Sequence, residues 1–396
     1  MAGAIDPLTG YIMKTLPSFC LRDGLTARRH GWSRVRPLTI IATLVIWAGG
    51  IAAGPRTEAS EPSVRPEGPL AALRRDGLPR KVLLGTVISG YGIFSQPLEQ
   101  RLQRMDELIE AMTARARGDY PAKRLDLAVL PETFLTRPGD SLAKQAVRLE
   151  EVLPRIAACA RRQGCYLIVP LLLQETAPPL RISNAAVLVD REGNVVGIYR
   201  KVHPVAPQGS DVVENGTMPG REFPVFECDF GRVGIQICFD LLYADGWEAL
   251  ARQGAEIVAL PSASPETVHP SLYALQHRYY ILSAAPRDHA AVYSPLGVIE
   301  AEVTKEDVLV HQIDLSYALL HWEAVLEEGE GLRRKFGDKV GFHYYRPEDA
   351  GIFWSNDLGT PIAQMIASLG LTESDANVER VRRLEDLARG GPPAQP

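Results

Sequence analysis

Three reactive side chains in this 396-residue sequence share one local setting: each follows a short apolar run and precedes a turn. Glu132 stands in LAVLPETF, Lys201 in VVGIYRKVHP and Cys238 in GRVGIQICFDLLYADGWEAL. A thiol with an ordinary pKa near ~8.5 is mostly protonated at neutral pH, so it needs a base or a cation beside it to act as a nucleophile. A carboxylate supplies the base. An ammonium favours the thiolate, and with a backbone N–H such as that of Phe239 it stabilises the negative charge developing on an attacked carbonyl or nitrile. Brought to one mouth, the three make a covalent acyl-transfer site in which Glu132 protonates a leaving amine and then activates water. Singly they are undistinguished. A cysteine at a strand end is commonly a small buried hydrophobe, and a Glu or Lys after a strand is commonly a solvated turn residue.

The elements that must position them alternate in type. Lys81–Ser89 reads as a strand, and Pro97–Arg117 as a long amphipathic helix opened by proline. Leu125–Leu130 is a short apolar strand, residues 142–163 look helical, and Cys165–Leu173 is apolar enough for burial on both faces. Ser183–Asp190 and Val195–Arg200 flank Glu192-Gly193-Asn194, a hairpin signal, and Val225–Phe230 and Val233–Cys238 flank Gly231. Gly246–Gln253 is helical, Glu256–Leu260 a strand and Pro270–Tyr280 a helix, with short strands to Ile313 around a turn at Pro295-Leu296-Gly297. Hairpins among crossovers predict an α/β domain with a mixed sheet. In such sheets, loops at strand ends gather side chains that are distant in the chain.

V-L-P-E-T-F, Y-R-K-V-H-P and G-I-Q-I-C-F-D resemble, in this order, the three signature segments of the nitrilase superfamily of carbon–nitrogen hydrolases. The resemblance spans roughly residues 80–320. It implies a four-layer αββα sandwich and a Glu–Lys–Cys triad at Glu132, Lys201 and Cys238. The family often carries a second glutamate near a Pro-Gly dipeptide. Glu214, ahead of Met218-Pro219-Gly220, fits that place and would orient Lys201 or the substrate; a loop carboxylate is the plain alternative. Asp240, Tyr243 and Trp247 are candidates for lining the pocket or for packing. His203, followed by Pro204, belongs to a turn more readily than to a Cys–His dyad. The family pairs subunits through helices beside the active site, which implies a homodimer or higher oligomer. Downstream the pattern departs: in place of R-A-x-E-N and G-x-S this chain has LQHRYY at 275–280 and SAAPRDH at 283–289, so no branch's substrate transfers.

Hydrophobic residues make up 46% and charged residues 23%, which excludes a disordered or fibrous chain. A formal net charge of −5 offers no basic field for nucleic acid. Five irregularly spaced cysteines, with no C-x-x-C, describe no disulfide framework, and the histidines show no H-E-x-x-H, so neither metal nor cofactor is expected. Residues 1–36 form a basic segment with Arg28, Arg29, Arg34 and Arg36; the apolar stretch at 37–54, with its uncharged run at 38–54, reads as a signal or a membrane anchor. Either form predicts an exported body, periplasmic or otherwise extracytoplasmic. Residues 55–78 read as a linker, 79–322 as the hydrolase domain and 323–396 as a charged, aromatic C-terminal extension rather than another core. The function expected is hydrolysis of a small non-peptide amide, less readily a nitrile, through a Cys238 thioester. Transfer of the acyl group to an amine is the first alternative, although the membrane-embedded acyltransferase relatives carry a bundle of apolar helices where this chain has one run. A tethered binding protein without turnover is the second.

Overall fold

The structure is a computed structural model, and it describes residues 78–121, 123–175 and 180–390. The basic segment, the apolar run and nearly all of the expected linker lie outside the described residues.

Strand β1 (Lys81–Ile88) leads through a single 3-10 turn into helix α1 (Leu98–Asp119), and β2 (Leu127–Val129) follows. Helix α2 (Leu149–Gln163) precedes β3 (Tyr166–Gln174), and β4 (Ile182–Val189) and β5 (Val195–Arg200) form the expected hairpin. The stretch read as one helix over 142–163 is broken at 146–148. There Val147 leaves the helical path to pair with Leu173, and its amide bonds the Leu172 carbonyl at 2.9 Å. Strand β6 (Val225–Cys228), β7 (Gly231–Ile235), helix α3 (Ala244–Arg252), β8 (Ile257–Pro261), helix α4 (Val268–His277), β9 (Tyr280–Ala284), β10 (Ala290–Tyr293) and β11 (Ile299–Val303) come next. Helix α4 stops earlier than the sequence suggests because Arg278 turns left-handed and Tyr280 already pairs with Ile257. Strand β12 (Asp307–Asp314) then returns to pair antiparallel with β1.

Two six-stranded sheets result, ordered β12-β1-β2-β3-β4-β5 and β11-β10-β9-β8-β7-β6. Period-two alternation assigns their faces. In the first sheet Leu83, Val87, Leu167 and Val169 pack on Met105, Ile109 and Met112 of α1 and Val152 and Ile156 of α2. Their neighbours Val82, Leu84 and Ile168 face Val233, Ile235, Ile257 and Leu282 of the second sheet. The other side of that sheet, with Val258, Leu260 and Ile281, packs on Trp247, Leu250 and Tyr273 of α3 and α4. Helix, sheet, sheet, helix: four layers enclose three apolar seams. Strands β1–β3 run parallel, as do β7–β9, and the β3-β4-β5 meander gives β5 the same direction as β3. The segments following β2, β5, β7 and β8 therefore emerge at one end.

The chain continues through β13 (Tyr317–His321), helix α5 (Glu330–Phe336), β14 (Val340–Tyr345), β15 (Ala350–Ser355), helix α6 (Ile362–Ala367) and helix α7 (Ser374–Ala388). The three strands make a sheet ordered β13-β15-β14. Read from composition as an extension rather than another core, this region closes a small core, with Leu320, Leu332, Phe353, Ile362 and Met365 buried together. Ile352 and Trp354 alternate with Phe353 and face the inter-sheet seam. Among the described residues, no helix is long and apolar enough to cross a membrane.

Candidate active site

Glu132 lies three residues beyond β2 and is 3% exposed. The turn that carries it is held from outside. Thr133 adopts φ 51, a left-handed conformation uncommon for a non-glycine residue, and Arg101 of α1 grips the segment beyond it. Arg101 is buried, and among the described residues it has no carboxylate as a hydrogen-bond partner. Its guanidinium donates to the carbonyls of Gln96 (3.0 Å), Thr133 (3.4 Å) and Phe134 (3.3 Å), to the Phe94 carbonyl and to the Thr136 hydroxyl. Burial pulls its pKa down to about 10, which still leaves it charged at neutral pH.

Lys201 is the first residue past β5. Its amide bonds the Asn184 carbonyl at 2.8 Å, and its own carbonyl accepts from the Gly220 amide at 2.8 Å. A side chain at Gly220 would stand 2.1 Å from the Arg200 carbonyl oxygen, so glycine lets the 205–220 loop fold back across the strand end. That loop brings Glu214, held at φ 38, down to the lysine. The ammonium of Lys201 lies 2.7 Å from Glu132 Oε1 and 3.2 Å from Glu214 Oε1.

Cys238 was expected to close a strand. Instead β7 ends at Ile235, the Gln236 amide adds a last bond to Ala259 at 3.0 Å, and Cys238 turns left-handed with φ 46 at the head of a 3-10 turn. Strain of this kind persists only where the surroundings over-determine it. Here the surroundings are Asp240, which is fully buried. It accepts from the Ile237 amide, the His203 amide and the Tyr199 hydroxyl, each at 2.8 Å, and so ties the cysteine elbow to the turn after Lys201. Asp240 therefore supports the site from beneath the elbow. Burial raises its pKa, against the pull of those donors.

The second sheet also reaches the carboxylate of the first. Just past β8, the Ala263 amide donates to Glu132 Oε2 at 3.0 Å, and the Ala263 amide and Ser262 hydroxyl also favour the ionised form of the Cys238 thiol. Burial pushes that thiol up to about 12, Glu132 adds to the rise, and Lys201 with the two hydrogen-bond donors opposes it. The sequence suggests a lysine that favours the thiolate; in the folded site burial and the charge of Glu132 act against that pull. For Lys201, burial disfavours the charge, but Glu132, Cys238 and Glu214 outweigh it and its pKa is raised. Glu214 is raised as well, by burial first and by the charge of Glu132, with Lys201 opposing.

The structure thus brings Glu132, Lys201, Glu214 and Cys238 to one centre. Phe239 follows the cysteine on the elbow, and its ring meets Tyr243 edge-on at 6.0 Å. Tyr243 is exposed and stacks on His203 at 3.9 Å, bracing the turn after Lys201, while His203 Nε2 pairs with Asp245 at 3.1 Å. Trp247 is core: buried, stacked on Tyr273 at 4.6 Å, its N–H on the Asp240 carbonyl at 3.2 Å. Cys159 and Cys165 are buried and Cys228 partly so, none of them at the centre. Sequence inspection passed over Asn184, Arg101 and Ala263. An asparagine, next to Ser183 in the otherwise apolar run ISNAAVLV, was the one visible signal among them.

Residues 88–319 match the family model described as carbon-nitrogen hydrolase. The chain belongs to the carbon–nitrogen hydrolase family. Among curated carbon–nitrogen hydrolase relatives, omega-amidase NIT2 of Xenopus tropicalis is 26% identical over 222 residues, 49% of this chain and 79% of that protein. Deaminated glutathione amidase of Homo sapiens is 29% identical over 221 residues, 48% of this chain and 67% of that protein. Of solved structures, Saccharomyces cerevisiae Nit3, a member of branch 10 of the nitrilase superfamily, gives a TM-score of 0.49 at 23% identity, covering 60% of this hydrolase and 91% of that chain. The amidase of Nesterenkonia sp. AN1, as a double mutant in complex with acrylamide, gives 0.48 at 19% identity, covering 59% and 91%. The four-layer arrangement of this hydrolase follows from its own sheets and seams, independently of those two likenesses.

Proposed function

We propose that this hydrolase cleaves a small non-peptide amide through a thioester on Cys238, with Glu132 as general base and acid and Lys201 as the electrostatic stabiliser. The observation that carries this is the contact of one buried carboxylate, Glu132, with the Lys201 ammonium at 2.7 Å and its electrostatic coupling to the Cys238 thiol. The thiol gives up its proton as the bond forms. Glu132 takes the thiol proton while sulfur attacks the amide carbon, and the carbonyl electron pair moves onto oxygen beside the Lys201 ammonium and the Phe239 N–H. The carbonyl re-forms, the C–N bond breaks, and Glu132 gives its proton to the departing nitrogen. Water then attacks the thioester as Glu132 takes one of its protons. Collapse breaks the C–S bond, the proton returns to sulfur, and a carboxylic acid leaves. That the relatives are named omega-amidase and deaminated glutathione amidase supports the choice of an amide as substrate.

Release of ammonia or amine from a panel of small amides tests the assignment. Wild type turns over at least one of them and Cys238→Ala none; equal rates for both would overturn it.

Two further parts of this proposal concern assembly and place. Val268, Leu272 and Leu275 form an exposed apolar stripe along α4, with Leu242 and Tyr243 exposed on the turn before α3, and this supports subunit pairing through that face. Sedimentation should give a dimer or larger, and a monomer with Leu272→Glu; a wild-type monomer would refute it. Export, with 38–54 as signal or anchor, is checked by the N-terminus of the mature protein recovered from its host. A cytosolic protein would end that proposal.

A further inference from the structure

We propose that Asn184 is a positioning residue for the reaction, locking the carboxylates of Glu132 and Glu214 into one relative orientation so that the base faces the cysteine. The proposal rests on the assignment of Glu132 as the general base.

Strand β4 is buried along its whole length, and Asn184 is 1% exposed within it. A buried amide is costly unless its hydrogen bonds are made. Asn184 spends both hydrogens of Nδ2 on the centre, one to Glu132 Oε1 at 2.7 Å and one to Glu214 Oε1 at 2.8 Å. Lys201 Nζ contacts the same two oxygens at 2.7 and 3.2 Å. Two donors thus bridge two acceptors in a closed ring. The strand register builds it, because the Lys201 amide bonds the Asn184 carbonyl at 2.8 Å and sets the two side chains side by side.

The side-chain type matters in three ways. Two carboxylates in one dry site repel, and a single ammonium offsets only one of them. The amide adds donors without adding charge. An aspartate of the same size would bring a third carboxylate, and a leucine would leave both oxygens half-satisfied. The amide also has one sense only: Oδ1 is buried with no hydrogen-bond partner among the described residues, and turning it inward would set oxygen against two carboxylate oxygens. The titratable groups gathered round Glu132 are Lys201, Glu214 and Cys238, with Asp240 acting on Lys201 from beneath the elbow. Any change at position 184 is therefore felt through the base.

The test uses p-nitrophenyl acetate on the full chain, where the burst reports acylation of Cys238 and the slow phase reports thioester hydrolysis by water that Glu132 activates. Asn184→Asp should move the acid limb of the slow phase to higher pH by about one unit or more, because a like charge now sits beside the base. Asn184→Ser keeps a small polar residue in the strand but cannot bridge both oxygens. It should slow the slow phase about tenfold or more while the burst persists. A wild-type limb and rate in both variants would overturn the proposal. So would a loss by one common factor at every pH in Asn184→Asp, since packing alone would give that. Should Asn184→Ser not fold, the nearly isosteric Asn184→Asp still decides through its limb. Two control arms isolate the underlying mechanism. A burst retained in Cys238→Ala, no burst in wild type, or an unchanged slow phase in Glu132→Gln would refute the catalytic assignment, and this proposal with it. If those controls behave and only the position-184 variants match wild type, only the role of Asn184 falls.

Discussion

Lys201 Nζ and Glu132 Oε1 meet at 2.7 Å with their side chains only 1% and 4% exposed. An ion pair so enclosed is weak evidence of net stability, but breaking it from one side strands a charge. Lys201→Met should therefore destabilise the fold by about 3–5 kcal/mol at neutral pH. The loss should shrink in acid, where the stranded carboxylates can take up protons. Urea denaturation at pH 7 and pH 5 measures both, and equal losses at the two pH values would contradict the pairing.

In the proposed mechanism Glu132 removes the thiol proton, yet its charge also favours keeping that proton on sulfur. Glu132→Gln should therefore do two opposite things. Turnover should be abolished, while the Cys238 pKa should fall below that measured in the wild type, because one upward push is gone and the pull of Lys201 remains. Thiolate absorbance near ~240 nm against pH follows the shift. A pKa that rises in Glu132→Gln would mean the carboxylate is not beside the sulfur.

Glu214 binds its proton more tightly folded than unfolded, since its pKa is raised above the ordinary 4.5. Its contribution to stability is thus most favourable below 4.5 and declines as pH rises through the folded value. Glu214→Gln removes that decline while keeping an acceptor for Asn184 and Lys201. The variant should melt higher than wild type at pH 7, with the gain fading toward pH 4, and should turn over more slowly. Thermal melts at the two pH values test the sign.

Arg101 acts on the site at one remove, by gripping the backbone beyond Glu132. Arg101→Leu leaves several buried carbonyls without a donor, a loss of about 2–4 kcal/mol by urea denaturation. Arg101→Lys, with a point charge in place of a planar fork, should recover only part of it. In both, kcat should fall more than KM, since the base moves and the binding surface does not.

How much of this was legible beforehand follows a physical line. Glu132, Lys201 and Cys238 announced themselves because each follows an apolar strand within one to three residues, although the left-handed turn at Cys238 was not visible. Asn184 did not, because its importance lies in a bridge between Glu132 and Glu214, residues 52 and 30 positions away. Asp240 looked like pocket lining, yet its partners Tyr199 and His203 lie across a strand end that spacing cannot reveal. The break at Val147 depends on a pairing with Leu173 formed only in the sheet. The core after residue 322 was hidden because β13 pairs with β15 and not with β14, so its apolar residues cluster only after the chain has crossed itself. Local pattern revealed the elements; contacts between distant segments decided the site.

The most direct measurement is peptide mass mapping of protein quenched during turnover of an amide. An acyl group of the substrate's mass should sit on Cys238, be absent in Cys238→Ala and appear on none of the peptides bearing Cys159, Cys165 or Cys228. Turnover with no adduct on Cys238, or with the adduct on another residue, would contradict the account.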